Sequence, residues 1–207
     1  MIEESQHISG AAIIILAAGK SSRLGKAKQL LPYLDSTLLQ HTADTAIASA
    51  IGPVILVLGS GNEQIAKTLS GDHLRILVNK EWEEGMASSI RCGVGELIQH
   101  YPEVDGVIIM VCDQPFVRPV LLKTLLSKQQ ETHKPIVAAH YDGINGTPVI
   151  FHRRMFIALM ELKGDKGARK ILEMQPEMVG TIPFPEGIHD IDTETDYQKL
   201  EQWLKLP

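Results

Sequence analysis

Residues 11–28 read Ala11-Ala12-Ile13-Ile14-Ile15-Leu16-Ala17-Ala18-Gly19-Lys20-Ser21-Ser22-Arg23-Leu24-Gly25-Lys26-Ala27-Lys28. Ile13 to Leu16 is short, apolar and rich in β-branched residues, the pattern of a strand buried on both faces. From Leu16 to Lys28 the character changes. Small residues gather around Lys20, Arg23, Lys26 and Lys28, and no acid appears until Asp35. Small residues let backbone N–H groups approach a ligand, and glycine adopts the conformations a cradle needs. Arg23 can clamp phosphate oxygens bidentately, and Lys28 supplies a mobile point charge. Each such contact is worth about 1–4 kcal/mol at surface-like dielectric. Charge alone fits a solvated basic turn equally well. The position after a first buried strand favours a phosphate-binding loop.

Working outward, short apolar runs alternate with longer amphipathic segments. The patterns predict helices over Ser36–Ala50, Asn62–Leu69, Met86–His100 and from Pro119 to about Gln130. Strands are expected at Val54–Leu58, Leu74–Val78, Val104–Cys112, Ile136–His140 and Thr147–Phe151. The last third is less regular, with helices at Arg153–Glu161, Ala168–Met174 and Thr193–Leu204 and a strand near Val179–Ile182. Such β-α alternation argues for a mostly parallel sheet covered by helices on both faces. Ligands then bind beyond the carboxyl ends of the strands, in the loops after Leu16, Leu58, Val78 and Cys112.

Composition narrows the class. The chain has 207 residues, 44% hydrophobic and 22% charged, which fits one α/β domain over residues 11–207 behind a flexible segment, 1–10. A net charge of −5 does not suggest nucleic acid as a partner, and makes the local basic cluster more notable. Two cysteines, Cys92 and Cys112, lack metal-ligand spacing, and Cys112 reads as a buried thiol. The acidic, polar N-terminus lacks a signal-peptide pattern, and Ala11–Ala18 is too short to span a bilayer. The expectation is a cytoplasmic protein with no membrane partner.

Two glycine motifs are decoys. Gly19-Lys20-Ser21 resembles the end of a P-loop, but the required earlier glycine falls on Ile14. Gly59-x-Gly61 begins like a dinucleotide fingerprint, but its third glycine position is Gln64. The histidines show no HExxH or paired spacing, and no Ser-His-Asp set is visible.

Several stretches in order carry a family resemblance. Leu-Ala-Ala-Gly-x-Ser-x-Arg-x-Gly-x-x-Lys at Leu16–Lys28 resembles the signature of the MobA/MocA-like nucleotidyltransferases. Asn79-x-x-Trp82-x-x-Gly85-Met86-x-x-Ser89, Asp113-Gln114-Pro115, Gly146-x-Pro148, Gly164-Asp165-x-Gly167-Ala168-Arg169 and Asp190-Ile191-Asp192-Thr193 complete it. Ala18-Gly19 and Gln114 resemble the cytidylyltransferase branch, and proteins needed for bacterial xanthine dehydrogenase, rather than the guanylyltransferase branch. The resemblance covers about Ile13 to Leu200.

The resemblance implies a Rossmann-like three-layer α/β sandwich of the nucleotide-diphospho-sugar transferase type, with a mostly parallel mixed sheet. It implies Mg²⁺-dependent transfer of CMP from CTP to the terminal phosphate of molybdopterin, with Mn²⁺ as a possible substitute metal. A molybdenum hydroxylase such as xanthine dehydrogenase would receive the product. Transfer to another phosphorylated acceptor, such as a sugar phosphate, and a non-catalytic molybdenum cofactor carrier are the alternatives.

Asp113, Arg23 and Lys28 are the candidate catalytic residues. Leu16, Ala17, Ala18, Gly19, Gly59, Asn79, Gly85 and Ser89 are candidate nucleotide contacts, with Asn79 placed to read the base or ribose. Asp113 and Asp192 are candidate metal ligands, since Mg²⁺ takes one or two carboxylates plus phosphate oxygens and water. Either aspartate could instead cap a helix, before Pro115 or at Thr193. Ser88 and Ser89 could contact a ligand or cap their helix, and Trp82 is read as packing under its loop. Arg169 is the candidate for the pterin side, within a segment, Lys163 to Lys170, that also reads as a surface turn.

Overall fold

The computed structural model describes residues 10–21, 24–59, 63–70, 73–165 and 167–204. In chain order the elements are β1 (Ala11–Ala17), β2 (Pro32–Tyr33), β3 (Ser36–Thr37), α1 (Leu38–Ala48), β4 (Val54–Gly59) and α2 (Glu63–Ala66). Next come β5 (Leu74–Asn79), α3 (Met86–His100), β6 (Gly106–Val111), α4 (Pro119–Thr132), β7 (Ile136–Tyr141) and β8 (Ile144–His152). The chain continues through α5 (Phe156–Met160), α6 (Arg169–Met174), β9 (Val179–Pro183) and α7 (Glu194–Leu204).

Seven strands form one sheet in the order β5-β4-β1-β6-β8-β7-β9. β5, β4, β1 and β6 run parallel, β8 is antiparallel to both its neighbours, and β9 pairs parallel with β7. The mostly parallel mixed sheet of the sequence expectation is therefore present. β1 sits centrally because both of its faces are apolar. With side chains alternating along a strand, Ile13, Ile15 and Ala17 enter one core with Leu39, Ala43, Leu122 and Leu125. Ile14 and Leu16 enter the other with Ile90, Val94, Leu97 and Phe156. Helices on both sides thus explain why β1 shows no hydrophobic–polar alternation.

A third, smaller cluster decides the site. Leu24 and Leu31 pack with Tyr33, Leu38, Ile191, Tyr197 and Leu200, seating α7 against the segment after β1. The Tyr197 hydroxyl donates to the Pro32 carbonyl at 2.8 Å.

Some boundaries differ from expectation for local reasons. The hairpin β2–β3 takes Ser36 and Thr37, so α1 starts at Leu38, with Thr37 Oγ1 accepting from Gln40 N at 3.2 Å as an N-cap. β6 starts at Gly106: Val104 N donates to the Tyr101 carbonyl in a turn, and the amides of Asp105 and Gly106 both donate to the Gly10 carbonyl, just before β1. β8 begins three residues before Thr147, pairing with β7 through a register shift at Ala138/Ala139. The expected helix at Arg153–Glu161 is a 3₁₀ turn followed by a short α-helix. Among the described residues, no helix is long and apolar enough to cross a membrane.

Candidate active site

β1 and β6 are adjacent and parallel, so the segments leaving Ala17 and Val111 emerge side by side. The loop after β1 folds back on itself. Gln29 Nε2 donates to the carbonyls of Ala17 at 2.8 Å and Gly19 at 3.3 Å, and Lys28 N donates to Ser21 Oγ at 3.1 Å. These bonds aim Lys28 inward. Its Nζ donates to Asp113 Oδ2 at 2.8 Å and to Asp192 Oδ1 at 2.7 Å. Asp113 follows β6, and Asp192 precedes α7.

Neither aspartate is the helix cap that it could have been. α4 starts at Pro119, with Arg118 in the N-cap position, well beyond Asp113. At α7, Asp196 N donates to Thr193 Oγ1 at 3.2 Å and Thr193 N donates to Asp196 Oδ2 at 2.9 Å. That reciprocal cap is built by Thr193 and Asp196, and the Asp192 carboxylate turns to Lys28 instead.

The Lys28 side chain is only 11% exposed, against 23% for Asp113 and 35% for Asp192. Burial by itself lowers the lysine pKa. The Asp113 charge and the hydrogen bonds that Lys28 donates to Asp113 and Asp192 outweigh it and hold the ammonium above the ordinary lysine value. A cation stays charged here only because two carboxylates meet it.

A cleft of about 500 Å³ opens over this cluster. Leu16, Ala17, Ala18, Gly19, Lys28, Gly85, Ser89, Asp113 and Asp192, all singled out from the sequence, line it together. Gln29, Trp82, Met86 and Asp165 line it too, and were not among the candidate contacts. Trp82 both packs and lines: a Cβ on Gly59 would meet its ring at 3.2 Å, and Lys20 Nζ lies 4.9 Å from its ring centre. Only the Gly59–Trp82 packing, invisible in sequence, shows how one tryptophan takes both roles. Asp165 is brought in by Gly85, whose missing Cβ leaves room for the carboxylate: a Cβ there would meet Asp165 Oδ1 at 2.1 Å.

Asn79 and Gly59 occupy a different place from the one expected. Asn79 is buried, its Nδ2 donating to Ser88 Oγ at 2.8 Å and Ser89 Oγ at 3.1 Å, while its Oδ1 accepts from Glu81 N at 2.9 Å. It ties the end of β5 to the first turn of α3, behind the cleft wall rather than in it. Gly59 likewise stands behind Ala18 and Trp82. Ser88 Oγ donates to the Gly85 carbonyl at 2.9 Å, a local helix-end contact, and Ser89 faces the cleft. Lys20 pairs with Glu83 at 3.2 Å and Lys26 with Glu194 at 3.0 Å, both at the surface. Arg23 and Lys166 lie outside the described residues.

A second cleft of about 540 Å³ adjoins the first and shares Met86, Val111 and Asp165 with it. Tyr141, Gly146, Thr147, Arg169 and Asp190 are among its other lining residues. Burial in that recess, then the negative charge of Asp113, raise the Asp190 carboxyl to about 7.

The donors suit a hard divalent cation. Asp113 and Asp192 already converge on a single positive charge, that of Lys28. No group of three or more His, Cys, Asp or Glu placed to hold a metal occurs among the described residues. Two carboxylates completed by phosphate oxygens and water match the habit of Mg²⁺.

Comparison with known proteins agrees with this architecture. The family model of the MobA-like NTP transferase domain matches residues 13–179. The nicotine blue oxidoreductase of Paenarthrobacter nicotinovorans is 29% identical over 204 residues, covering 93% of this chain and 94% of that one. The molybdenum cofactor cytidylyltransferase of Escherichia coli K12 is 27% identical over 188 residues, covering 89% and 92%. The crystal structure of Rv0371c from Mycobacterium tuberculosis H37Rv is 32% identical, with a TM-score of 0.82 over 94% of this chain and 98% of that one. A structure of that protein in complex with manganese aligns with a TM-score of 0.78 at 29% identity, over 94% and 99%. The fold is that of the nucleotide-diphospho-sugar transferases, and the chain belongs to the family of MobA-like NTP transferases.

Proposed function

We propose that residues 11–207 act as one domain that transfers CMP from CTP to the terminal phosphate of molybdopterin, in the cytoplasm, with Mg²⁺ as the metal and Mn²⁺ able to replace it. The observation that carries the reading is the convergence of Lys28, Asp113 and Asp192 at the carboxyl edge of β1 and β6. The likeness to the E. coli cytidylyltransferase and the residues Ala18 and Gln114 support the choice of CTP and of the acceptor. The product would pass to a molybdenum hydroxylase such as xanthine dehydrogenase.

In this reading the triphosphate lies along Ala17, Ala18 and Gly19, and the acceptor enters through the second cleft past Arg169. An oxygen of the acceptor phosphate attacks the α-phosphorus of CTP. The bond from that phosphorus to the oxygen bridging to the β-phosphate breaks, and pyrophosphate leaves with the electron pair. The attacking phosphate is already ionised, so no general base is needed, and alignment with charge neutralisation carries the rate. Lys28 stabilises the departing pyrophosphate, with Arg23 as a second cation. Asp113 and Asp192 would hold the metal, which when bound neutralises charge on the triphosphate.

Labelled pyrophosphate released from γ-labelled CTP, dependent on both Mg²⁺ and molybdopterin, is the expected result. Release with GTP or with a sugar phosphate instead would replace the substrate assignment. Binding of molybdenum cofactor with no release would make the protein a carrier.

A further inference from the structure

Gln114 is a carboxamide only 4% exposed, directly after Asp113 in the chain. Its Oε1 accepts from Thr147 Oγ1 at 2.9 Å. Its Nε2 lies 3.2 Å from the Tyr141 hydroxyl and 3.3 Å from the Gly187 carbonyl, to both of which it donates. The amide orientation is therefore fixed, its nitrogen toward acceptors and its oxygen toward the threonine donor.

Two of these partners, Tyr141 and Thr147, line the second cleft, which Gln114 supports from behind. Tyr141 is held on two further sides. A Cβ on Gly146 would lie 2.3 Å from its hydroxyl oxygen, and one on Gly187 would lie 2.4 Å from Cδ1. Its hydroxyl has one place to be. An apolar residue would fill the space behind the cleft without the desolvation cost of a buried carboxamide, which is tolerated only when fully bonded. Gln114 meets that condition through groups that face the cleft.

We propose that Gln114 is a positioning residue for the acceptor: one carboxamide fixes Tyr141 and Thr147 along the path of the incoming phosphate, while Asp113, one peptide away, serves the nucleotide. The proposal rests on the reading of the second cleft as the acceptor site. It separates two ends of the site that share a single turn. Loss of the carboxamide disturbs acceptor placement and leaves the nucleotide end intact.

The test is steady-state kinetics of the full chain with CTP, Mg²⁺ and molybdopterin, for wild type, Gln114→Met, Gln114→Glu, Thr147→Val and the Gln114→Met/Thr147→Val pair. Both Gln114 variants are expected to lower kcat/KM for molybdopterin by about tenfold or more, because small misplacements of reacting groups carry such penalties. The KM for CTP is expected to stay within about twofold, the mark of an effect confined to one substrate. Thr147→Val is expected to add little in the Gln114→Met background, since residues acting through one network are not additive. If Gln114→Met does not fold, Gln114→Glu and Thr147→Val carry the same comparison. Unchanged acceptor kinetics, a CTP KM rising in step, or additive losses in the pair would each overturn the proposal while leaving the function in place. Absence of any transfer by the wild type would overturn the function and this proposal with it.

Discussion

Lys28 and Asp113 are 85 residues apart in the chain, yet the ammonium of one lies 2.8 Å from the carboxylate of the other. Asp192, 164 residues from Lys28, completes the bridge at 2.7 Å. The two carboxylates that suit a metal ion are thus held together by a lysine that suits a phosphate. Without nucleotide, that ammonium competes with any cation for the same oxygens.

Replacing Lys28 with Met should therefore separate two properties. Metal affinity without nucleotide is expected to rise by about tenfold or more, because the attraction lost between each carboxylate and the ammonium exceeds the ~1.4 kcal/mol per decade. Turnover is expected to fall steeply, since the pyrophosphate loses its cation. Titration with Mn²⁺ followed by electron paramagnetic resonance reads the first, and pyrophosphate release the second. Weaker Mn²⁺ binding in the variant would contradict the competition.

Asp113→Asn and Asp192→Asn should keep the fold at a lowered melting temperature, because neither carboxylate caps a helix and the remaining one still pairs with the buried Lys28. Each is expected to weaken Mn²⁺ binding and lower turnover by about 10²-fold or more, the scale for losing one preorganised electrostatic partner. Near wild-type turnover in Asp113→Asn would remove the metal assignment.

Gly59→Ala tests whether a residue behind the cleft shapes it. The added Cβ would lie 2.9 Å from the Ala18 carbonyl and 3.2 Å from the Trp82 ring, so one of them must shift. Overpacking of this kind costs about 1–3 kcal/mol. Both neighbours line the first cleft, so on the proposed function CTP affinity should fall together with the melting temperature. A stability loss with unchanged CTP binding would show that the strain is absorbed elsewhere.

His41 should make the protein sensitive to mild acid. Burial beneath Tyr33, with ring centres 4.6 Å apart, lowers its pKa below the ordinary 6.5, against the opposing Pro115 carbonyl and Asp44 charge. A depressed pKa means stability that is present above 6.5 and is lost as the pH falls through the folded-state value. His41→Gln is expected to lose less melting temperature than wild type between about pH 7.5 and 5.5. Parallel thermal melts check this, and equal losses would assign the acid sensitivity to other groups.

The two thiols should differ in reactivity. Cys112 is buried, and burial, followed by the Asp113 charge, pushes its pKa up to about 12. Cys92 is half-buried, with a pKa raised by burial and by Glu96 and Glu81. Iodoacetamide on the native protein should label Cys92 first, because the thiolate is the nucleophile and access limits it. Peptide mapping by mass spectrometry reads the order, and early labelling of Cys112 would contradict its burial.

The sequence carried much of the architecture. The apolar run at Ile13 to Leu16 marked a strand buried on both faces, and the alternation beyond it set the mostly parallel sheet. The motif positions Leu16 to Gly19, Lys28, Gly85, Ser89, Asp113 and Asp192 meet in one cleft. Asn79 shows the limit. Its motif position suggested a ligand contact, but its amide is spent on Ser88 and Ser89. A side chain's direction depends on what packs around it, which spacing along the chain does not encode. The same holds for Gln114, whose three hydrogen-bond partners come from β7, β8 and the segment before α7.

By itself the sequence determined which segments become the seven strands of the main sheet, the longer helices that cover them, and which loops leave its carboxyl edge. Hydrophobic periodicity and local chemistry are short-range properties, and the chain states them directly. Only the tertiary structure decided that Thr193 rather than Asp192 caps α7, that Asp192 turns to Lys28, and that Gln114 stands behind the second cleft. Those outcomes depend on packing across the fold. Leu24 and Leu31 dock α7 through Tyr197 and Leu200, and the buried charge of Lys28 is stable only where two carboxylates meet it.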